Sequence, residues 1–568
     1  MPRNAQVLFR LVALLGVLAI VAGTQSVLAP SAGAAGGFVP ISGSGSTFSQ
    51  NAVDQWRRTV NANNGITVNY SGNGSTAGRN DFRAGLVDFA DSEIPYGLRD
   101  GGVLDPLPDR AFGYMPITAG GTAFMYNLKI GGKRVTNLRL SGDTLTKIFT
   151  QQITNWSDPA IKADNPGLTL PPRKIVPVVR ADGSGTTAQF TTYMAAKFGP
   201  QWDAYCKRAG VTVTPCGFTS FYPTANGMVS KSGSVGVAGF VAQDSSEGAI
   251  TYVEYSYARN ALFPVVKVLN SAGYYVEPTA PSVAVALLKA KLHPDLTQDL
   301  GDVYVNPDPR TYPLSSYSYM IIPKDLKGNF NTNKGKTLGE FSYYALCEGQ
   351  QNADALGYSP LPVNLVAAAI DQVVQIPGSD QADNKVDRNN LSGCHNPTVS
   401  PTGGNLLAQT APQPQPCDHQ GPTQCDTGTG GAHASTPTSN TTTTGSNANG
   451  GAGGANNLAG GGPGGTSGAG AVNGADTGSG ASAGGGADGG TGTSIDPLTG
   501  QPTDNTSLSG SGSSNVSAVP VSVDVADNRR LIVLGVLAVA LLVGVVLVPP
   551  LVAKEMRRRT GPPPGGRS

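Results

Sequence analysis

The sequence predicts an α/β protein of two lobes, followed by a long low-complexity segment and one membrane-spanning helix. Three observations carry this expectation. Between about residues 37 and 376, short Val/Ile-rich segments alternate with longer amphipathic ones. That stretch of about 340 residues is too long for one small core and suits two lobes. Beyond it the composition shifts to Gly, Pro, Ser and Thr, which bury little apolar surface.

Residues 1–34 read as a secretory leader. Arg3 and Arg10 are basic, 11–22 is apolar, and Ala32-Gly33-Ala34 offers a small-x-small cleavage site. The two-lobed domain is expected over 35–376. Within it, 66–70 and 174–179 read as strands. Segments 50–60, 187–198 and 283–292 read as helices. Residues 377–528 read as a flexible linker. The part from 451 to 500 holds twenty Gly, three Asp, no other charge and no aromatic. The 23 residues 531–553 are uncharged and nearly all Leu, Val, Ala and Gly. At ~1.5 Å per residue they match a ~30 Å hydrocarbon core. The segment 554–568, with Lys554, Arg557, Arg558, Arg559 and Arg567, reads as a basic tail on the inner side. The bulk of the chain is then expected outside the cell and anchored to its membrane.

Composition excludes several functions. Charged residues make up only 14%, and Lys+Arg 39 nearly cancels Asp+Glu 38, so no nucleic-acid partner is expected. Four histidines are present, and only His293 lies in the foldable stretch. A multi-histidine metal site and a Ser-His triad both need more. No catalytic residue, metal or cofactor is expected, and the protein reads as a binder rather than an enzyme. Six cysteines suit an oxidising exterior. Neighbours in sequence suggest Cys206 with Cys216 and Cys417 with Cys425, leaving Cys347 and Cys394, but fifteen pairings are open.

Three Gly/Ser/Thr clusters precede expected helices: 43–48 (Gly-Ser-Gly-Ser-Thr-Phe), 72–78 (Gly-Asn-Gly-Ser-Thr-Ala-Gly) and 180–187 (Arg-Ala-Asp-Gly-Ser-Gly-Thr-Thr). Helix N-termini carry unpaired N–H groups, and small residues let an anion reach them. Hydroxyls and the Arg180 fork add donors. The alternative is three ordinary turns with Ser/Thr caps. No cluster ends in Gly-Lys-Ser/Thr, so none is a nucleotide P-loop. Acidic residues Asp88, Asp91 and Glu93 follow the second cluster. A carboxylate facing an anion is useful when the anion carries a proton. Hydrogen phosphate can donate to it, whereas sulfate cannot.

Residues 43–48, 68–75, 88–93, 153–158, 180–186 and 250–258 together resemble the periplasmic phosphate-binding proteins of ABC phosphate importers. The resemblance covers roughly residues 38–376. It implies a type II periplasmic-binding-protein fold, two α/β lobes closing about a hinge, with a returning segment near 314–323 completing the first lobe. It also implies inorganic phosphate as ligand and a membrane ABC permease as partner. Thr47, Phe48 (through its N–H), Ser75, Arg180, Ser184, Gly185 and Thr186 would then bind phosphate, with Asp182 orienting Arg180. Glu93 stands where the family usually has a proton-accepting Asp; Asp91 is the alternative acceptor. A receptor for another tetrahedral oxyanion, and a surface interaction protein without transport, are the competing readings.

Overall fold

The computed structural model describes residues 37–400 and 404–439. The leader, the linker beyond 439, the apolar segment 531–553 and the basic tail lie outside the described residues. Among the described residues no helix is long and apolar enough to cross a membrane.

Eight strands form the central sheet. They are β1 (Ile41–Gly45), β2 (Val68–Ser71), β3 (Phe89–Ser92), β4 (Phe112–Tyr126), β5 (Val176–Arg180), β6 (Val229–Lys231), β7 (Ala249–Glu254) and β8 (Ser315–Pro323). Their order is β6-β5-β7-β4-β8-β3-β1-β2. The parallel trio β2-β1-β3 carries the first lobe, and the parallel strands β6-β5-β7 carry the second. The long strand β4 joins them. Its first part pairs antiparallel with β8, and Thr122–Tyr126 pairs with β7. Strand β8 in turn pairs with β3, which places the returning segment in the first lobe. Of the 15 residues of β4 only Phe112 is not buried, as expected of a strand covered on both faces.

Four helices start at the C-terminal ends of parallel strands: α1 (Gln50–Asn64), α2 (Ser75–Arg83), α3 (Gly185–Arg208) and α4 (Gly233–Val241). In α1, Ala52, Val53, Trp56 and Val60 are buried, a single face at helical spacing. Helix α3 has non-helical backbone at Phe198 and continues past it to Arg208. Pro200 lies just beyond; it lacks an N–H and its ring crowds the preceding turn, so the helix kinks where the sequence reading ended it. The helix expected over 283–292 runs instead from Ala280 to Leu287, and Lys291–Leu292 pairs with Gln298–Asp299. Trp56, Trp156 and Trp202 are all core residues.

The expected boundary at 376 does not hold. Residues 377–400 and 404–439 continue the folded body. Cys347–Cys394 ties the first part to the preceding helical layer, and the other disulfides are Cys206–Cys216 and Cys417–Cys425. Ala408 and Ala411 pack on Ala284 and Val285. Arg139 Nη1 donates to the carbonyls of Cys417 and Thr423 at 3.0 and 2.9 Å. Asn137 Nδ2 donates to the Cys425 carbonyl at 2.8 Å. Lys267 Nζ meets both oxygens of Asp418 at 2.9 and 2.8 Å, and both residues are buried. A polar segment thus becomes ordered because its backbone and one carboxylate serve buried groups of the second lobe.

Removing one partner of a buried pair leaves the other uncompensated. Asp418→Ala is therefore expected to cost about 3 kcal/mol, read from urea unfolding. A loss below about 0.5 kcal/mol would mean that this strap contributes nothing through the pair.

Candidate functional site

The loops before α1, α2, α3 and α4 converge between the lobes. Three were expected. The fourth, Ser232-Gly233-Ser234, was not, although it repeats the pattern of small residues between a strand and a helix. Thr47 Oγ1 lies 2.8 Å from Ser234 Oγ, and Ser234 N donates to Thr47 Oγ1 at 3.3 Å. Ser75 Oγ accepts from Gly185 N at 3.0 Å. Thr76 N donates to the Gly183 carbonyl at 3.1 Å. Each of these bonds links one lobe to the other.

Glu93 sits at the centre, 1% exposed. Its Oε1 accepts from Ser46 Oγ at 2.6 Å and from Ser318 Oγ at 2.7 Å. Its Oε2 accepts from Ser75 Oγ at 2.8 Å. The carboxylate lies against the start of α3, where a Cβ on Gly185 would fall 1.8 Å from Oε2. Only glycine fits there, and a negative charge at a helix N-terminus is favourable. The structure thus brings Glu93, Ser75 and Gly185 together. Ser46 and Ser318 complete the set and were not singled out from sequence.

Arg180 ends β5. Its Nε donates to Asp182 Oδ1 at 2.8 Å, its Nη2 bonds Asp182 Oδ2, and its Nη1 donates to Ser234 Oγ at 3.3 Å. Gly233 N also donates to Asp182 Oδ1 at 2.8 Å. Burial pushes the Asp182 carboxyl up, but the Arg180 hydrogen bonds and charge, with the Gly233 N–H, outweigh it and hold the carboxyl below its ordinary value. Asp182 thus orients the guanidinium of Arg180, a residue only 3% exposed.

Ser184 caps α3 through its own Oγ, which accepts from Thr187 N at 3.2 Å. The turn-and-cap alternative is therefore real at this loop, while α1, α2 and α4 have no side-chain cap. Thr186 Oγ1 is buried and has no partner among the described residues. The Phe48 N–H is donated to Ser46 Oγ at 2.9 Å rather than standing free. The carbonyls beside it are tied back by tyrosines: Tyr257 to Thr47 O and Tyr358 to Phe48 O, both at 2.6 Å, and Tyr70 to Ser46 O at 2.7 Å.

A hairpin of the first lobe (Arg99–Asp100, Val103–Leu104) reaches across to the second. Ser220 N donates to Asp100 Oδ1 at 2.7 Å, Ser220 Oγ bonds Asp100 Oδ2, and Gly101 N donates to the Phe218 carbonyl at 3.3 Å. The two lobes are thus latched at the rim as well as at the centre. Among the described residues no cluster of His, Cys, Asp and Glu suits a metal ion.

Asp91, the alternative acceptor, lies in β3 beneath Glu93. Its Oδ2 accepts from Ser49 Oγ at 3.0 Å, and Oδ1 has no partner among the described residues. Burial pushes its carboxyl up to about 8; the Ser49 bond opposes this and the charge of Glu93 adds to it. Between the ordinary value of 3.8 and about 8, the folded protein holds a proton that the unfolded chain has released. Stability from this group is full below the lower value and is lost as pH rises through the upper one. Melting temperatures at pH 5 and pH 9 should therefore differ less for Asp91→Asn than for the wild type. An unchanged difference would show that Asp91 does not hold this proton.

The PBP superfamily domain model matches residues 25–348. The phosphate-binding protein PstS of Xylella fastidiosa strain Temecula1 is 33% identical over 329 residues, covering 58% of this chain and 83% of its own. Phosphate-binding protein PstS 2 of Mycobacterium tuberculosis is 31% identical over 353 residues, covering 60% and 88%. The solved structure of a high-affinity periplasmic phosphate-binding protein, PfluDING with bound phosphate, aligns over 60% of this chain and 97% of its own, at 19% identity and a TM-score of 0.45. The chain belongs to the PstS phosphate-binding proteins of the PBP superfamily.

Proposed function

We propose that this protein captures inorganic phosphate outside the cell membrane and delivers it to an ABC importer. The observation that carries this is the pairing of one buried acceptor, Glu93, with a surround of donors on the facing helix starts. Such a site fits an anion that carries a proton of its own. A fully deprotonated oxyanion would set acceptor against acceptor at Glu93, so sulfate is disfavoured.

In this reading the ligand exchanges bonds that the chain now makes with itself. Phosphate oxygens take the N–H groups of Phe48 and Gly185 from the Ser46 and Ser75 hydroxyls. Thr47, Ser75, Ser184 and Thr186 contribute hydroxyls. Thr186 is the clearest case, since its buried oxygen has no other partner among the described residues. Arg180, held by Asp182, supplies the charge. Ligand favours the closed population because it bonds groups from both lobes at once. The binding cycle needs no bond-making step.

The remaining parts of the chain fit the same task. Residues 1–34 are proposed as the export leader, 531–553 as the membrane span and 554–568 as the inner tail. The Gly-rich stretch between the folded body and the span then acts as a tether, holding the receptor near its permease.

The test is calorimetric titration of anion-stripped protein with phosphate. Wild type should bind at micromolar concentration or tighter. Arg180→Ala should weaken binding by about 100-fold or more, and Ser184→Ala by about tenfold. Equal affinities for wild type and Arg180→Ala would overturn the assigned cage.

A further inference from the structure

Glu93 is one methylene longer than the aspartate usual at this place, and something must fix where the extra reach goes. The structure shows what holds it. Oε1 is bound on one side by Ser46 and on the other by Ser318, at 2.6 and 2.7 Å. Oε2 is left facing Ser75 and the first residue of α3. A carboxylate offers about four acceptor positions. Ser46 and Ser318 fill the positions on Oε1, so the positions open to a proton-bearing ligand are on Oε2, where the ligand takes over from the Ser75 hydroxyl.

Ser318 sits beside an irregularity in the sheet. Along β8 the register with β4 runs Ser318 to Thr118 and then Tyr319 to Pro116, so Ile117 is an extra residue on β4. Proline has no ladder donor and is tolerated in a central strand at such a bulge. The Ile117 carbonyl is served instead by Gln350 Nε2 at 2.9 Å. On the same strand β8 pairs with β3, placing Tyr319 beside Ser92, next to Glu93. The bulge at Ile117 therefore sits in the crossing strand between the partners of Ser318 and Tyr319.

We infer that Ser318 is a positioning residue for anion selectivity: with Ser46 it anchors one oxygen of Glu93, so that the other faces the ligand as its proton acceptor. This rests on the phosphate reading and goes beyond it by assigning the discrimination step to the crossing strand. Ser318 does not touch the ligand. Its loss frees the carboxylate to rotate, and the penalty against an aprotic anion weakens more than the affinity for phosphate itself.

The experiment measures phosphate and sulfate affinities of the full-length protein at fixed pH and takes their ratio. Ser318→Ala should lower the phosphate-over-sulfate ratio by about tenfold, while Ser318→Thr, which keeps the hydroxyl, stays within about threefold of wild type. Ser316→Ala removes a buried hydroxyl of the same strand that has no partner among the described residues, and it should leave the ratio unchanged. Should Ser318→Ala not fold, Ser318→Val against Ser318→Thr gives the same comparison at equal side-chain shape. A selective wild type with an unaltered ratio in Ser318→Ala, or in Ser318→Val, overturns the role of Ser318 alone. A wild type that binds no phosphate overturns the phosphate reading, and this inference with it.

Discussion

Burying Glu93 strips a carboxylate of its water, and much of the surrounding architecture offsets that cost. Three hydroxyls do so, and they come from three separate places: Ser46 after β1, Ser75 at the start of α2, and Ser318 in β8. Each position depends on the one before. Strands β1 and β2 must lie in parallel register for their loops to meet, β3 must carry Glu93 beside them, and β8 must return antiparallel to β3. Gly45 is part of this constraint. It has φ of 135°, and a Cβ there would lie 2.2 Å from the Asp91 carbonyl. A larger residue would force β1 away from β3 and Ser46 away from Glu93.

The same carboxylate ties the two lobes together. Ser75 donates to Glu93 and accepts from Gly185, so one hydroxyl connects the acceptor of the first lobe to the helix start of the second. The Thr47–Ser234 bond and the Asp100–Ser220 latch repeat the connection on either side. Strands β4 and β8 carry the covalent crossings, and in the proposed binding cycle lobe closure is a rotation about these two strands with polar bonds made across the gap. Interlobe bonds made by short hydroxyl side chains suit this purpose. Each is worth only about 1 kcal/mol net, and a ligand can replace them without a large barrier.

How much of this was legible in the sequence depended on how local the cause was. The first three helix starts were legible because a Gly/Ser/Thr cluster before a helix is set by adjacent residues. The Arg180–Asp182 pair was legible for the same reason, being two residues apart on a strand end. Ser234 carried the same signal in a weaker form, Ser-Gly-Ser before a small apolar helix. Ser318 carried none. Its place follows from the register of β8 with β3 and β4, set by residues far away in sequence. The segment 404–439 was misread as linker because it lacks apolar periodicity. Hydrogen bonds from Arg139, Asn137 and Lys267 order it, and these donors lie far off in the chain.

The most direct test of the central claim is a crystal structure of the protein with phosphate bound. The phosphate is expected between the starts of α1, α2 and α3, with one ligand oxygen about 2.5–2.7 Å from the Glu93 carboxylate and Arg180 still paired with Asp182. Phosphate found in that cleft with Glu93 turned away from it, or found elsewhere on the molecule, would contradict the claim that this buried carboxylate selects the ligand.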